Sequence, residues 1–569
     1  MPLSIPLIVI RVDLVVDLLR EFHTLAHSTS LRTFRSRADG ELLLAHPIQN
    51  AIARWRVVPA RFHLLDQAPR LLLAPPSLRS GHALAGIHHF FAFRFLLRLM
   101  ELMNRSALVI GSGPNGLSAA IVLAQAGWQV EVHEAATYIG GACSSTELTL
   151  PGFIHDVGSA VHPLAIASPF FSGLPLPVNW IHSPVALAHP LDDGTAVLLH
   201  RDVTQTAANL GTDGDTDGRA WQSLFLPLLR NWEILRHELL APLGWTKHPL
   251  AMAGIGVNAL WPASSFVKAR FQGTRAQALF SGLAAHYPFV DQPLSAGFGL
   301  VLGLAAHAVG WPIPQGGAQQ ISNALASKLE SFGGRILTNS TVTRFTPEHS
   351  LVMADTSPPA LARIAADRLP PSFARQLSRY RFGPGAFKMD WALSEPIPWR
   401  AKECAQAATV HLGGTAEEIL ASERAAVQGK SSDKPFVLLA QPTLFDVSRA
   451  PAGKHTVWAY CHVPAGSGHD MSAAIENQIE RFAPGFRECI LARHVFPPSD
   501  LQRANANLVG GDVTGGVSDL LQTLFRPTRR RYGTPDPGIY LCSSSTPPGA
   551  GVHGMCGYHA AHAALQRHR

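Results

Sequence analysis

Two glycine-rich stretches carry the residue types whose spacing points most directly to chemistry. In ALVIGSGPNGLSAAIVLAQAGWQVEVHEAATYIGGACSS, residues 107–145, Gly111, Gly113 and Gly116 form the pattern G-x-G-x-x-G. The first glycine permits a tight turn after a strand and the second lets backbone approach a pyrophosphate. The third lets the following helix pack closely on that strand. The amino terminus of this helix offers free N–H groups and a positive dipole end that suit phosphate. Glu134 closes the next strand, with Ala135 after it, and can accept hydrogen bonds from ribose hydroxyls. Strand, glycines, helix, strand and acid in this order predict a dinucleotide-binding βαβ unit, without choosing between NAD and FAD. Gly140 and Gly141, followed by Ala142, suit a second close approach to the dinucleotide, or simply an ordinary Gly-Gly turn.

Candidates for proton transfer are fewer. His155 and His162 lie in FIHDVGSAVHP, and Lys388 lies in FKMDWAL. A histidine is a ready proton carrier, but each of these also reads as a buried hydrogen-bonding group, and the lysine as one that snorkels. Trp311, Trp391 and Trp458 suit either an apolar pocket or ordinary core packing. The six cysteines include no CxxC and no ligand-spaced Cys/His array, so no metal site is expected. Cys143 stands alone after the βαβ unit. A disulfide reductase needs two redox cysteines there, one thiolate resolving the other's disulfide, and that reaction is therefore not expected.

These residues need elements to position them. ALVIG is a continuous apolar run bounded by glycine, as in a buried parallel strand. GLSAAIVLAQA has helical spacing, and Gly127 sits at the expected helix C′ position. QVEVHEA alternates as a second strand. Residues 176–311 read as largely helical, as in GRAWQSLFLPLLRNWEILRHELL. AQQISNALASKLESFGG is an amphipathic helix, RILTNSTVTRF strand material, and AFKMDWAL, FVLLAQPTLF and HTVWAYCHVP further strands.

The chain has 569 residues, 47% of them hydrophobic, with 48 glycines and 43 prolines, which suits a multidomain globular α/β protein. The formal charge of +7 is concentrated in residues 1–103, which carry twelve arginines, seven acids and no lysine. The remainder is nearly balanced, which argues against a nucleic-acid partner. Residues 1–103 read poorly as a domain. They are expected to be a disordered extension or the product of a misplaced start, with Met103 next before the first strand; an Arg-rich targeting segment and a true accessory domain are the alternatives. RPTRRRYG concentrates Arg526, Arg529, Arg530 and Arg531, expected as a solvated loop or a contact with an acidic partner or anionic membrane surface. Scattered cysteines fit a reducing compartment, so a cytoplasmic location is expected, with membrane association an addition the basic loop allows.

The combination VIGSGPNGLSAA, VEVHEAATYIGGACSS and PGFIHDVGSAVHPL resembles the phytoene desaturase-related flavoproteins, especially the branch named for pyridine nucleotide-disulfide oxidoreductase domain-containing protein 2. GWPIPQGGAQQISNALASKL, GPGAFKMDWAL and the closing PGIYLCSSSTPPGAGVHGMCGYHAAHAAL are similar to that family's middle and final motifs. The similarity covers nearly all of 104–569 and none of 1–103. It implies an α/β fold: a Rossmann-type FAD/NAD(P)-binding flavoprotein with a glutathione-reductase-like cofactor domain and a discontinuous α+β substrate domain. The cofactor domain would gather 104–175, 312–380 and 500–569, and the substrate domain 176–311 and 381–499. FAD is the implied cofactor. Its implied contacts are Gly111, Gly113, Pro114, Asn115, Gly116, Glu134, Ala135, Gly140, Gly141 and Ala142, with Val342 at the adenine end and Gly551, Val552, His553 and Gly554 beside the ring system. His162, Lys388 and His553 are the candidates for direct chemistry. One departure stands out: many relatives carry Arg after the Gly-Gly pair, where this chain has Ala142. The implied activity is FAD-dependent oxidation of a small or lipid-like organic substrate by hydride transfer, with dioxygen, a quinone or another acceptor closing the cycle. The alternative is a flavin-bound regulatory or interaction protein with little turnover.

Overall fold

The computed structural model describes residues 105–211, 216–244, 246–345 and 349–568. The expectations for residues 1–103 lie outside these.

The first βαβ unit forms as its sequence directs. Strand Ser106–Ile110 is buried from its second residue on and is flanked by two parallel partners, Gln129–His133 and Leu351–Ala354. Between the first two strands runs the helix Pro114–Gln125, with Pro at its first turn, and Gly127 past its end takes a φ of +86°. The full parallel sheet has five strands in the order Ile539–Leu541, Leu351–Ala354, Ser106–Ile110, Gln129–His133, Arg335–Leu337. The chain winds to one side of the first strand and later to the other. That is the topological switch point at which open α/β sheets bind ligands. Apolar side chains cover both faces of the sheet. One face packs on the helices 114–125, 319–331 and 555–567, the other on the helices 358–364 and 371–378.

A second sheet has seven strands in the order Ile490–Phe496, Gly385–Leu393, His455–Val463, Val437–Ala440, Ala407–Leu412, Val185–Pro190, Ala196–Leu199. It is antiparallel except where Ala407–Leu412 runs alongside Val185–Pro190. Alternation along its strands gives it two unlike faces. Phe387, Met389, Trp391, Val457, Ala459, Cys461 and Leu439 build an apolar core on one. The other carries Lys388 and Asp390, with Tyr460 and Trp458 opposite them on one side and Phe496 and His494 on the other. A helical layer, 203–309, forms its own core around Trp221, Phe225, Phe271 and Phe280.

Two expectations need correction. The run RILTNSTVTRF is strand only over Arg335–Leu337. Asn339 takes a φ of +52°, which turns the chain out of the sheet, so Val342 lies in irregular backbone and packs against the cluster containing Leu108 and Ile110. Arg526 is not part of a solvated loop: it is buried, and its guanidinium donates to Gly515 O at 2.6 Å and Ser518 Oγ at 2.9 Å. Arg529 and Arg530 are exposed.

Candidate functional site

The two ends of the described chain meet over the glycine loop. A methyl group at Gly557, in the C-terminal helix Met555–Arg567, would lie 1.8 Å from Asn115 O. Only glycine lets these two helices approach so closely. One at Gly554 would lie 3.2 Å from Ser118 Cβ. Gly551 and Val552 lead into this contact, with Gly551 against Leu164 and Val552 against the adjoining core.

On the other side of the loop, the second glycine pair abuts the first. A Cβ on Gly141 would stand 3.7 Å from Gly113 Cα and 3.5 Å from Asn505 Nδ2. Gly140 N–H donates to Ser112 Oγ at 3.2 Å. Behind it the GACSS segment is stapled to the helix Gln319–Ser331: Ser322 Oγ donates to Cys143 O at 2.7 Å and Cys143 Sγ to Ala318 O at 3.4 Å. Ala142 O accepts from Ser159 N–H at 3.0 Å.

Glu134 is half-buried at the end of its strand. Its carboxylate accepts from Ser112 N–H at 2.8 Å, Ser112 Oγ at 2.7 Å and Ala136 N–H at 2.9 Å. Asn339 and Ser340, just before Val342, donate to Ala136 O and Glu134 O. This loop therefore crosses Glu134. Ala135 is exposed beside it. Beneath the glycines lies Asp355, which sequence reasoning missed. Its Oδ2 accepts from Gly116 N–H at 2.9 Å, and its backbone O accepts from Asn507 Nδ2 at 2.9 Å. Burial, reinforced by the charge of Glu134 against the opposing Gly116 hydrogen bond, pushes the Asp355 carboxyl up to about 7. Asn115 Oδ1 and Thr356 Oγ1 are buried at this loop without a protein partner. A glycine-walled cradle with orphaned polar atoms, helix N–H groups and a ribose-competent acid fits a dinucleotide.

A second cluster sits where the front of the seven-stranded sheet meets the hairpin Ser145–Glu147/Ile154–Asp156. Lys388 and Asp390 form a fully buried ion pair. Burial lowers the lysine and raises the carboxyl to about 6, so the two titrate as a pair. His155 Nε2 lies 2.8 Å from Thr149 Oγ1 and its Nδ1 3.7 Å from Asp390 Oδ1. Burial, then the charges of Lys388 and Arg449, hold His155 at about 3. Asp156 pairs with Arg449 at 2.9 Å across nearly three hundred residues of chain. Burial opposes the Asp156 charge, but Arg449, Ala318 N–H and Ser145 Oγ together keep its carboxyl below the ordinary range. His162 is buried with neither ring nitrogen partnered, and burial depresses it to about 4. Arg449 Nη1 and Trp458 Nε1 are likewise buried and unpartnered.

The three candidates for direct chemistry therefore differ. His553 is spent on the backbone: its Nδ1 accepts from Met555 N–H at 3.0 Å, capping the C-terminal helix, and its carbonyl accepts from Ser168 Oγ at 2.6 Å. Lys388 is tied to Asp390. His162 retains both ring nitrogens. Trp391 belongs to the back of the sheet, donating to Glu476 at 3.2 Å, and Trp311 packs against His286 and His411. Trp458 alone of the three faces this cluster, 5.9 Å from Lys388 Nζ. Arg449, Asp156 and Asn507 gave no local sequence signal, because their partners lie far along the chain. Arg449 reaches Ile154 O and Asp156 in the second strand of the hairpin, while the position after the Gly-Gly pair holds the uncharged Ala142. All six cysteines are free, and burial pushes the Cys143 thiol up to about 12, which disfavours its thiolate.

Residues 109–169 match the model of the NAD(P)-binding Rossmann-like domain. Pyridine nucleotide-disulfide oxidoreductase domain-containing protein 2 of Rattus norvegicus is 27% identical over 545 residues, covering 80% of this chain and 92% of the relative. Among solved structures, an oxidoreductase from Methanosarcina mazei superposes with a TM-score of 0.55 at 17% identity, covering 81% of this chain and all of that one. Putrescine oxidase bound to putrescine superposes with a TM-score of 0.53 at 15% identity, covering 81% of this chain and 98% of that one. At these identities the solved structures establish a shared fold.

Proposed function

We propose that this chain, a homologue of pyridine nucleotide-disulfide oxidoreductase domain-containing protein 2, is an FAD-dependent oxidoreductase that removes hydride from a C–H bond of a small or lipid-like organic substrate. The observation that carries this reading is the single cradle made by Gly113, Gly141, Asn115, Thr356 and the C-terminal Gly554–Gly557 segment. Bound there, FAD would supply a two-electron acceptor, held by the helix N–H groups after Gly113 and by Glu134. The cofactor domain is proposed to gather residues 104–175, 312–380 and 500–569, and the substrate domain the rest of the described chain.

The chain's own residues divide the remaining work. The Arg449–Asp156 and Lys388–Asp390 pairs fix two buried cations without leaving net charge in the cluster. His162, neutral and unpartnered, is the group best able to hydrogen-bond a substrate or carry its proton. Trp458 and Phe496 supply apolar wall on either side of Lys388. Lys388, Asp390, Asp156, Arg449 and His162 are all buried, which shields this cluster from water.

Anaerobic mixing of the yellow holoprotein with a metabolite panel tests the reading. A true substrate bleaches the flavin absorbance in a stoichiometric burst, and His162→Phe slows that burst with flavin still bound. Correctly folded protein that stays colourless after flavin supplementation would overturn it. Reoxidation of the bleached protein by dioxygen or by a soluble quinone then identifies the acceptor class.

A further inference from the structure

Two segments far apart in the chain build an apolar surface with a basic border. The helix Pro249–Ala259 is apolar nearly throughout, yet it buries only Ile255. Leu250 is 90% exposed, Val257 65% and Leu260 60%, and Trp261 after them is also exposed. A helix on an ordinary water-facing surface would turn charge outward here. The short helix Leu520–Leu524 buries none of its residues, and Leu520, Leu521, Leu524 and the following Phe525 are all exposed.

Contacts at both ends hold these segments together. Ser518 N–H donates to Tyr287 Oη at 2.7 Å, and Tyr287 stacks on Phe298 with ring centres 4.4 Å apart. A methyl at the adjacent Gly297 would lie 3.3 Å from Ala259 Cβ. At the other end, the Arg531 guanidinium donates to Leu243 O. The start of the second segment is thereby tied near the end of the first helix, and its end near the residues leading into that helix.

The acids that border these segments are paired, Asp519 at the start of the second helix with Arg381 and Asp291 beside Ser264 with Arg424, which leaves basic side chains in excess. Residues 240–271 contain Lys247, His248, Lys268 and Arg270 but no Asp or Glu, and residues 520–535 contain, besides the buried Arg526, three arginines and no acid. Arg529 lies over the Phe525 ring at 5.2 Å, so its charge borders the apolar side chains directly. Contiguous exposed apolar surface marks an interaction site. A second copy of the same surface would set arginine against arginine, which disfavours self-association. A lipid headgroup layer presents the complement: phosphates for Lys247, Arg529 and Arg530, and acyl chains for Leu250, Val257, Leu260 and Leu521. Among the described residues no single helix is long and apolar enough to cross a membrane, and the apolar pair Pro249–Ala259 and Ala263–Arg270 is bent by 97°. That geometry suits lying on a bilayer.

We propose that this surface docks the protein onto an anionic lipid leaflet, an inference independent of the redox chemistry. The test is flotation of the full chain with vesicles of phosphatidylcholine, alone or with about one third phosphatidylglycerol, chosen because each basic side chain near an anionic surface adds roughly fivefold to binding. The protein is expected to float with the mixed vesicles at least about tenfold better than with phosphatidylcholine alone, and to be released by added salt. R529Q/R530Q is expected to weaken partitioning about twenty-five-fold. L250S/V257S/L521S is expected to weaken it by more, with the melting temperature unchanged because all three side chains are exposed. Equal partitioning into both vesicle types, or none, would overturn the proposal. So would patch substitutions that turn a dimer into a monomer in sedimentation velocity while leaving flotation unaltered.

Discussion

Asp355 Oδ2 accepts the Gly116 amide at 2.9 Å, joining residues 239 positions apart and placing a buried carboxyl directly under the dinucleotide loop. Its titration gives the first prediction. Burial raises Asp355 to about 7 in the fold, against about 4 in an unfolded chain. The unfolded state therefore releases this proton first, and stability is lost as pH rises between those two values. Asp355→Asn keeps an acceptor for Gly116 without the charge. Its melting temperature should exceed the parent's by a few degrees above neutrality, and the two should converge near pH 4. Thermal melts across that range decide it. A variant melting below the parent at high pH would show that the charged carboxylate stabilises the loop.

Buried histidines impose the opposite pH dependence. His162, His189, His307 and His553 are depressed to about 4, His155 and His286 to about 3, in each case chiefly by burial. Each contributes stability that is present above its unfolded value near 6.5 and lost as pH falls toward its folded value. The urea-unfolding free energy should drop by several kcal/mol between pH 7 and pH 5, with net proton uptake on unfolding. Calorimetry in buffers of different ionisation enthalpy measures that uptake directly. A flat stability profile over this interval would mean that water reaches these rings.

The Arg449–Asp156 pair makes a third prediction, because both side chains are about 1% exposed. Arg449→Met leaves Asp156 charged and unpaired in the interior, at a cost of about 3–5 kcal/mol. R449M/D156N should recover most of that loss, since removing both charges costs far less than stranding one. Chemical denaturation of the parent, the two single variants and the double variant closes the cycle. Additive losses would indicate that each residue acts through other partners.

Glycines provide a matched pair of substitutions. At Gly557 a methyl would meet Asn115 O at 1.8 Å, whereas at Gly256 nothing lies within 4 Å. Both sit in helices. Gly256→Ala should therefore stabilise by about 0.5–1 kcal/mol through helix propensity. Gly557→Ala should destabilise by about 1–3 kcal/mol through overpacking and should also lower flavin retention. Stability and the absorbance of co-purified flavin are read on the same samples. Equal behaviour of the two variants would refute the close helix contact.

Much of the fold was legible because its signals are local. The buried run ALVI, the G-x-G-x-x-G turn and the alternation in QVEVH each state an element within a few residues, and those elements formed as read. STVTRF misled because its β-branched residues favour a strand, while Asn339 upstream had already turned the chain away. Arg526 misled because three neighbouring arginines suggested a solvated loop, whereas carbonyls from the 514–515 turn capture its guanidinium in the interior.

By itself the sequence determined where a dinucleotide could bind, since close backbone approach and a helix N-terminus are written in glycine spacing. It also limited the proton carriers to a few histidines and a lysine. Only the tertiary structure decided among them. It spent His553 on a helix cap, paired Lys388 with Asp390 and left His162 unpartnered. Likewise it brought Arg449 to Asp156 and Gly557 to Asn115. Protonation and pairing depend on burial and on partners hundreds of residues away, and no local pattern encodes either.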